Sequence, residues 1–133
     1  MKILLDTHYL IWALQGEHIS SEIEAIITDP ENSVFFSIIS IWEISIKKHS
    51  NPDKIGFKTG DIFRYAEEAG FEMLKLSENH VFALDTLKLK PGKKDHKDPF
   101  DRILIAQAKS EKMRFLTKDS RIADYEEKCI LVM

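Results

Sequence analysis

The sequence predicts an α/β fold, a three-layer α/β/α sandwich around a mostly parallel sheet of roughly five strands. Short apolar runs alternate with amphipathic helical stretches along the chain, and strands separated by helices pair in parallel through crossovers. Single carboxylates stand where such runs stop: Asp6 follows residues 3–5, and Asp119 follows residues 115–117. Because parallel strands deliver their carboxyl ends to one edge of the sheet, acids from distant parts of the chain are expected to meet there.

Helix caps and apolar spacing define the elements in the first half of the chain. Ser21 with Glu24 three residues later forms a capping box at the start of the second helix. The third helix begins at either Ser37 or Ser40. The predicted elements are a strand at 2–5, a helix at 8–14, a helix ending near 29–30, a strand at 33–36 and a helix reaching about residue 48.

Glycine and proline mark the helix ends in the second half. Gly70 occupies the usual position of a C-terminal glycine, and Asp98 followed by Pro99 is a cap with proline at the first helical position. The predicted elements are a helix at 59–69, a strand at 71–76, a helix from Ser77 to about residue 87, a long helix from Asp98, and strands at 113–117 and 129–132.

Composition places limits on the class of protein. At 133 residues the chain is expected to form one domain, residues 1–133, and its 44% hydrophobic and 31% charged residues are typical of a soluble globular protein. No run is long enough for a membrane span or a secretory signal. The one cysteine, Cys129, excludes a disulfide framework, indicates a reducing cytoplasm, and is itself expected to be a small buried hydrophobe. Trp42 is expected in the core, and Trp12 in the core or on a dimer surface.

The gathered acids point to a metal site. Carboxylates held close together repel one another unless a divalent cation lies between them. Hard oxygen ligands with no accompanying cysteine favour Mg²⁺ or Mn²⁺ over zinc. A zinc site of His8 and His96 with Asp6 and Asp98 is the alternative, but neither histidine has the paired His or Cys spacing of such sites.

The charge balance leaves room for a nucleic acid. A net charge of −3 argues against a protein that coats nucleic acid by bulk electrostatics, but it does not exclude a local groove. Lysines crowd the approach to the acids, where they are either solvated ends or a path that steers a phosphate chain toward the metal. These lysines, together with Arg102, form the basic cluster: Lys47, Lys48, Lys88, Lys90, Lys93, Lys94 and Lys97.

Four motifs carry a family resemblance. They are Leu-Leu-Asp-Thr-His at residues 4–8, Ser-Ile-Trp-Glu-Ile at 40–44, His-Lys-Asp-Pro-Phe-Asp-Arg at 96–102 leading into Ile-Ala-Gln-Ala at 105–108, and Leu-Thr-Lys-Asp at 116–119. In order and spacing they resemble the PIN domain family, and within it the VapC-type toxins of bacterial toxin-antitoxin pairs. The resemblance spans nearly the whole chain.

The resemblance implies a metal-dependent endoribonuclease, usually a homodimer, which is neutralised by a small antitoxin and leaves a 5′-phosphate and a 3′-hydroxyl. The family's acidic quartet falls on Asp6, Glu43, Asp101 and Asp119. Asp98 is an additional acid, either a ligand or a helix cap. Thr7 and Thr117 stand at positions that often support the site through hydroxyl hydrogen bonds.

Each acid also has a structural interpretation. Asp6 fits a strand-end turn, Glu43 fits a capping box with Ser40, and Asp119 fits a cap for a short helix at 120–125. Asp101 would lie in the first turn of its helix, where a negative charge suits the helix dipole and is compatible with metal ligation.

Two other classes of protein compete with the nuclease. A phosphoaspartyl enzyme with Asp6 as nucleophile fails on the residues, because a haloacid-dehalogenase-type phosphatase needs a second acid at His8 and a receiver domain needs acids where Lys2 stands. A catalytically silent interaction module with this fold, binding an antitoxin or RNA, stays open, although four intact acids argue against it.

Overall fold

The computed structural model describes residues 1–53, 56–94 and 98–133. Within these ranges the chain forms five strands, six α-helices and two 3₁₀ turns. The strands are β1 (Lys2–Leu5), β2 (Ser33–Ser37), β3 (Glu72–Leu74), β4 (Arg114–Thr117) and β5 (Ile130–Val132). The helices are α1 (Thr7–Gln15), α2 (Ser21–Thr28), α3 (Ile38–Ser50), α4 (Thr59–Glu68), α5 (Glu78–Ala83) and α6 (Pro99–Glu111); the 3₁₀ turns are Leu84–Thr86 and Ser120–Asp124.

The five strands form one parallel sheet in the order β3-β2-β1-β4-β5. The first strand of the chain is therefore central, with Leu4 opposite Phe35 of β2 on one side and Phe115 of β4 on the other. The chain winds outward from β1 in one direction through β2 and β3, and in the other through β4 and β5. In open α/β sheets such a reversal leaves a crevice at the carboxyl end of the central strands.

Successive residues of β1 face opposite layers, which confirms the predicted sandwich. Ile3 and Leu5 belong to a buried cluster that includes side chains of α1, α2, α3 and α4. Leu4 belongs to a second cluster on the other face, with Leu104 and Ile105 of α6. Ile3, Leu4 and Leu5 are each at most 1% exposed, so β1 is covered on both faces, as expected of a central parallel strand.

Two helix starts differ from the predicted capping boxes. The N-cap of α2 is Ser20, whose hydroxyl accepts a hydrogen bond from the Ile23 N–H at 3.2 Å, so the prediction of Ser21 was wrong by one residue. The N-cap of α3 is Ser37, whose hydroxyl accepts from the Ile39 N–H at 3.0 Å. Ser40 therefore lies inside α3, and the capping-box interpretation of Glu43 is wrong.

The prediction that Trp42 belongs to the core was also wrong, because Trp42 is 58% exposed. Its ring packs edge-on against Phe100, with the ring centroids 5.2 Å apart, and Ile46 lies exposed one turn further along α3. Cys129 is partly buried, and burial raises the pKa of its thiol, in keeping with a packing role. No helix in the described ranges is long and apolar enough to cross a membrane.

Helix α4 provides a test of its predicted C-terminal glycine. Gly70 has φ +86°, and an added Cβ would meet nothing within 4 Å, so Gly70→Ala should act through backbone strain alone. We expect it to lower the free energy of unfolding by about 1 kcal/mol in urea titrations. Gly60→Ala, inside α4 and equally unobstructed, should instead raise it by about 0.5–1 kcal/mol. Equal effects of the two substitutions would contradict this assignment.

Candidate active site

The first acid of the site stands at the carboxyl end of β1. Asp6 follows the strand directly and caps α1, because its Oδ1 accepts a hydrogen bond from the Tyr9 N–H at 2.8 Å. Its Oδ2 accepts from the Thr117 hydroxyl, at the end of the neighbouring strand β4, at 2.5 Å. The Thr117 oxygen in turn accepts from the Asp119 N–H at 3.1 Å. One hydroxyl thus links the ends of two central strands and two of the predicted site acids.

Asp6 is buried in spite of its charge. Only 5% of the residue is exposed, and loss of water raises the pKa of its carboxyl. The hydrogen bonds from Thr117 and the Tyr9 N–H oppose this rise, while the negative charge of Glu43 adds to it. The site therefore contains an acid that is costly to ionise without a nearby cation.

Helix α3 supplies the second acid, Glu43, which is 3% exposed. Its Oε1 accepts a hydrogen bond from the Thr7 hydroxyl at 2.6 Å, and the Thr7 oxygen also lies 3.0 Å from the Ser40 hydroxyl. Its Oε2 lies 2.8 Å from the Lys47 ammonium, one turn further along the helix. The spacing of Ser40, Glu43 and Lys47 by three and four residues places all three on one face of α3.

The other acids come from the start of α6 and from the turn after β4. Asp98 caps α6 through a bond from the Phe100 N–H to its Oδ1 at 2.9 Å, and Asp101 lies in the first turn of that helix. Asp119 caps the 3₁₀ turn and accepts from the Arg121 N–H at 2.9 Å. The Arg121 guanidinium also grips this carboxylate through both oxygens, at 3.1 and 2.8 Å. Bonding to Asp119 and the charges of Asp119, Asp101 and Asp98 raise the pKa of Arg121.

All five acids named from the sequence line one small pocket of about 170 Å³. Its lining residues are Asp6, Thr7, His8, Glu43, Lys47, Asp98, Asp101, Asp119 and Arg121. His96 and Lys97 fall outside the described residues. A larger cavity of about 560 Å³, bounded by α1, α2 and the loop before β3, contains none of these acids. The smaller pocket is therefore the candidate site.

Two cationic side chains, Lys47 and Arg121, also line the pocket. Arg121 did not emerge from the sequence motifs, and Lys47 appeared there only as one of many lysines. The available signal was spacing: Lys47 follows Glu43 by four residues, and Arg121 follows Asp119 by two. Helical and turn geometry brings such pairs into contact.

The donor set of the pocket suits a hard divalent cation. Its lining offers carboxylate and hydroxyl oxygens and no thiol, and five carboxylates face two cationic side chains. Among the described residues, no three His, Cys, Asp or Glu side chains lie close enough together to form a ligand cluster already in place. A hard divalent ion such as Mg²⁺ would take one or two of these carboxylates directly and keep several of its waters.

Comparison with known families identifies the fold family. The model of the PIN domain matches residues 3–128. The chain belongs to the PIN domain family. This confirms the resemblance carried by the four motifs, and PIN domains generally use divalent metal ions.

Two solved structures share the fold. The first is a chain of VapBC2 from Rickettsia felis, in a structure bound to a DNA fragment from the VapBC2 promoter. It is 15% identical to this chain with a TM-score of 0.66, and the match covers 100% of this chain and 98% of that chain. A chain of a toxin-antitoxin complex from Klebsiella pneumoniae is 17% identical with a TM-score of 0.62, covering 98% and 96%. The search of curated proteins found no match.

The Thr7 hydroxyl should stabilise the buried Glu43 carboxylate of this PIN domain. Thr7→Val keeps the shape of the side chain but leaves Glu43 Oε1 without that donor, so we expect the free energy of unfolding to fall by about 1–3 kcal/mol. Thr7→Ser, which keeps the hydroxyl, should lose less than half as much. Urea denaturation of both variants provides the measurement, and equal losses would show that the hydroxyl is not responsible.

The raised pKa of Asp6 predicts a pH-dependent stability. The folded state holds the Asp6 proton to higher pH than the unfolded chain, where the ordinary value is 3.8. The stability contributed by Asp6 is therefore present below that value and is lost as pH rises through the folded pKa. With metal ions removed by EDTA, the free energy of unfolding of Asp6→Asn should increase relative to that of the wild type as the pH rises from acid to neutral.

Asp85→Asn, at an exposed position, serves as the control for that series. Its stability should follow the wild type at each pH. If the Asp6→Asn and wild-type curves run parallel, the Asp6 carboxyl does not carry the proposed burial cost.

Proposed function

We propose that this PIN domain is a metal-dependent endoribonuclease that hydrolyses phosphodiester bonds of RNA with Mg²⁺ or Mn²⁺. The observation that carries the proposal is the pocket at the carboxyl edge of β1 and β4, where five carboxylates from four parts of the chain meet. Such a concentration of oxygen ligands, of which Asp6 and Glu43 are buried, suits phosphoryl chemistry with hard cations. The PIN family assignment supports the same class of reaction.

Each acid has a proposed role. Asp6 and Asp101 would hold a cation directly, while Glu43 and Asp119 would hold it through water or hold a second cation. Asp98 would be a fifth ligand or only the cap of α6; its bond to the Phe100 N–H occupies one of its two oxygens, so the two roles are compatible. When bound, the ion supplies an activated water and stabilises the leaving oxygen of the phosphodiester.

The surrounding residues fix these acids before any substrate arrives. Thr117 and the Tyr9 N–H orient both oxygens of Asp6, and Thr7 orients Glu43. Each of these donors is neutral, so it positions a carboxylate without cancelling its charge. Because burial raises the pKa of Asp6, a proton and a cation compete for the same carboxylate, so activity should rise with pH.

A toxin role in a toxin-antitoxin pair is part of the proposal, with a cognate antitoxin protein as partner and the cytoplasm as location. The two structural relatives come from toxin-antitoxin systems, which supports such a partner. We further propose a homodimer. Trp42 and Ile46, exposed one turn apart on α3, provide apolar surface that a second copy would cover.

Cleavage of labelled single-stranded RNA tests the proposal. We expect the purified protein to cut the RNA in Mg²⁺ or Mn²⁺ and not in EDTA, leaving 5′-phosphate ends. Asp6→Asn should reduce the rate by about 10²-fold or more, because it removes a charged ligand while keeping the cap of α1. Asp85→Asn, exposed and outside the pocket, should cut at the wild-type rate.

Cutting that survives in Asp6→Asn would point to a contaminating nuclease and remove the site assignment. Ion binding by calorimetry without any RNA cleavage would favour the interaction module over the nuclease. Co-purification with the product of a short neighbouring reading frame would be the expected sign of an antitoxin.

A further inference from the structure

The carboxylates in the pocket differ in the kind of partner they have. Both oxygens of Asp6 accept hydrogen bonds from neutral donors, a hydroxyl and a backbone N–H. Glu43 also forms an ion pair with Lys47 of the same helix, and Asp119 forms one with Arg121 of the turn that it caps. Neutral donors leave the charge of a carboxylate in place for an incoming metal ion, whereas a bound cation largely offsets it.

Lys47 is positioned to compete with a metal ion for Glu43. Its ammonium lies 2.8 Å from Glu43 Oε2, while Oε1 is occupied by the Thr7 hydroxyl. An ion that binds Glu43 on the Oε2 side meets a positive charge at contact distance. The Lys47 side chain is 47% exposed, against 5% for Glu43, so the lysine can turn away into solvent while the glutamate stays in place.

Arg121 has the same relation to Asp119. Its guanidinium bonds to both oxygens of that carboxylate, and its side chain is 70% exposed against 27% for the acid. The charges of Asp101 and Asp98 also act on it, so Arg121 lies within the field of the α6 acids as well. A planar guanidinium that grips a carboxylate through two parallel bonds has the geometry to grip a phosphate in the same way.

We propose that Lys47 and Arg121 are exchange residues: they neutralise Glu43 and Asp119 until a divalent cation takes those carboxylates, and then contact the phosphates of the RNA. This inference rests on the proposed nuclease function and adds two substrate-binding residues to it. The same two side chains then oppose cation binding and favour RNA binding.

The test measures cation affinity and RNA affinity separately in Lys47→Gln and Arg121→Gln. Titration calorimetry with Mn²⁺ in the absence of RNA should show tighter binding by about twofold to fivefold, the range of a partly exposed ion pair. Fluorescence anisotropy with a short labelled single-stranded RNA in Ca²⁺, checked on a gel to be intact, should show weaker binding. The slope of log affinity against log salt concentration should become shallower by roughly 0.7 for each phosphate that the variant no longer neutralises.

Matched controls separate this effect from a general loss of positive charge. Lys48→Gln removes the neighbouring lysine, whose ammonium bonds to the Phe57 carbonyl instead of a site acid. Arg64→Gln removes an exposed arginine paired with Asp61 outside the pocket. Both should leave the two affinities at the wild-type values.

A double-mutant cycle locates the competition. If Lys47 and the cation compete for Glu43, Lys47→Gln should no longer tighten Mn²⁺ binding in a Glu43→Gln background. Tighter cation binding together with weaker RNA binding supports the exchange. An unchanged cation affinity, or RNA affinity equal to that of the Lys48→Gln control, overturns it. Wild-type protein that binds Mn²⁺ and cuts RNA while the variants show no change would refute the exchange alone and leave the nuclease function standing.

Discussion

Parallel pairing of β1 with both β2 and β4 is the constraint on which the rest of the structure depends. It places the first strand of the chain at the centre of the sheet, so the chain leaves it once toward β2 and later returns beside it as β4. The carboxyl ends of β1, β2 and β4 then lie at one edge of the sheet. Asp6 follows β1, α3 follows β2, and Thr117 is the last residue of β4. Acids separated by more than a hundred residues meet because of this pairing and not because of local sequence.

The site is built against the preference of carboxylates for water. Asp6 and Glu43 are almost fully buried, and the charge of Glu43 helps to raise the pKa of Asp6. Hydroxyl groups from Thr7 and Thr117 offset part of this cost by hydrogen bonding to the charged oxygens. Residues that lower stability in this way are common where a protein binds an ion or performs chemistry. The protein therefore carries an electrostatic cost in this pocket, which the proposed cation would relieve.

A buried polar network ties together the helices that carry the acids. The Ser37 hydroxyl, which caps α3, donates to Gln107 Oε1 of α6 at 2.5 Å. The Gln107 amide lies 3.3 Å from His80 Nδ1, which also accepts from the Ser77 N–H at 3.0 Å. His80 Nε2 in turn faces a Glu111 oxygen at 3.3 Å. Because all of these bonds have to be satisfied together in the interior, the network fixes α3 and α6, and with them Glu43 and Asp101, relative to each other.

Local patterns predicted the fold class and the order of strands and helices along the chain, because apolar periodicity is a local signal. The candidate acids came from the four motifs of the family resemblance, and Asp6 and Asp119 also from their places after apolar runs. The predicted cap of α2 was Ser21 instead of Ser20, and the cap of α3 was left open between Ser37 and Ser40, because nearby serines satisfy the same cap rule. Trp42 was wrongly predicted to lie inside, since it stands among the apolar residues of α3 and the side of the helix that faces inward depends on where the sheet lies.

Only the tertiary structure decided which side chains accompany the acids. The bonds of Thr117 to Asp6, Thr7 to Glu43 and Ser37 to Gln107 join residues 111, 36 and 70 positions apart, and no local pattern encodes such distances. The ion pairs of Lys47 and Arg121 are local in sequence, yet the two pairs lie in one pocket because of the tertiary structure at the sheet edge. The residue types came from the sequence, and their proximity came from the parallel pairing of the central strands.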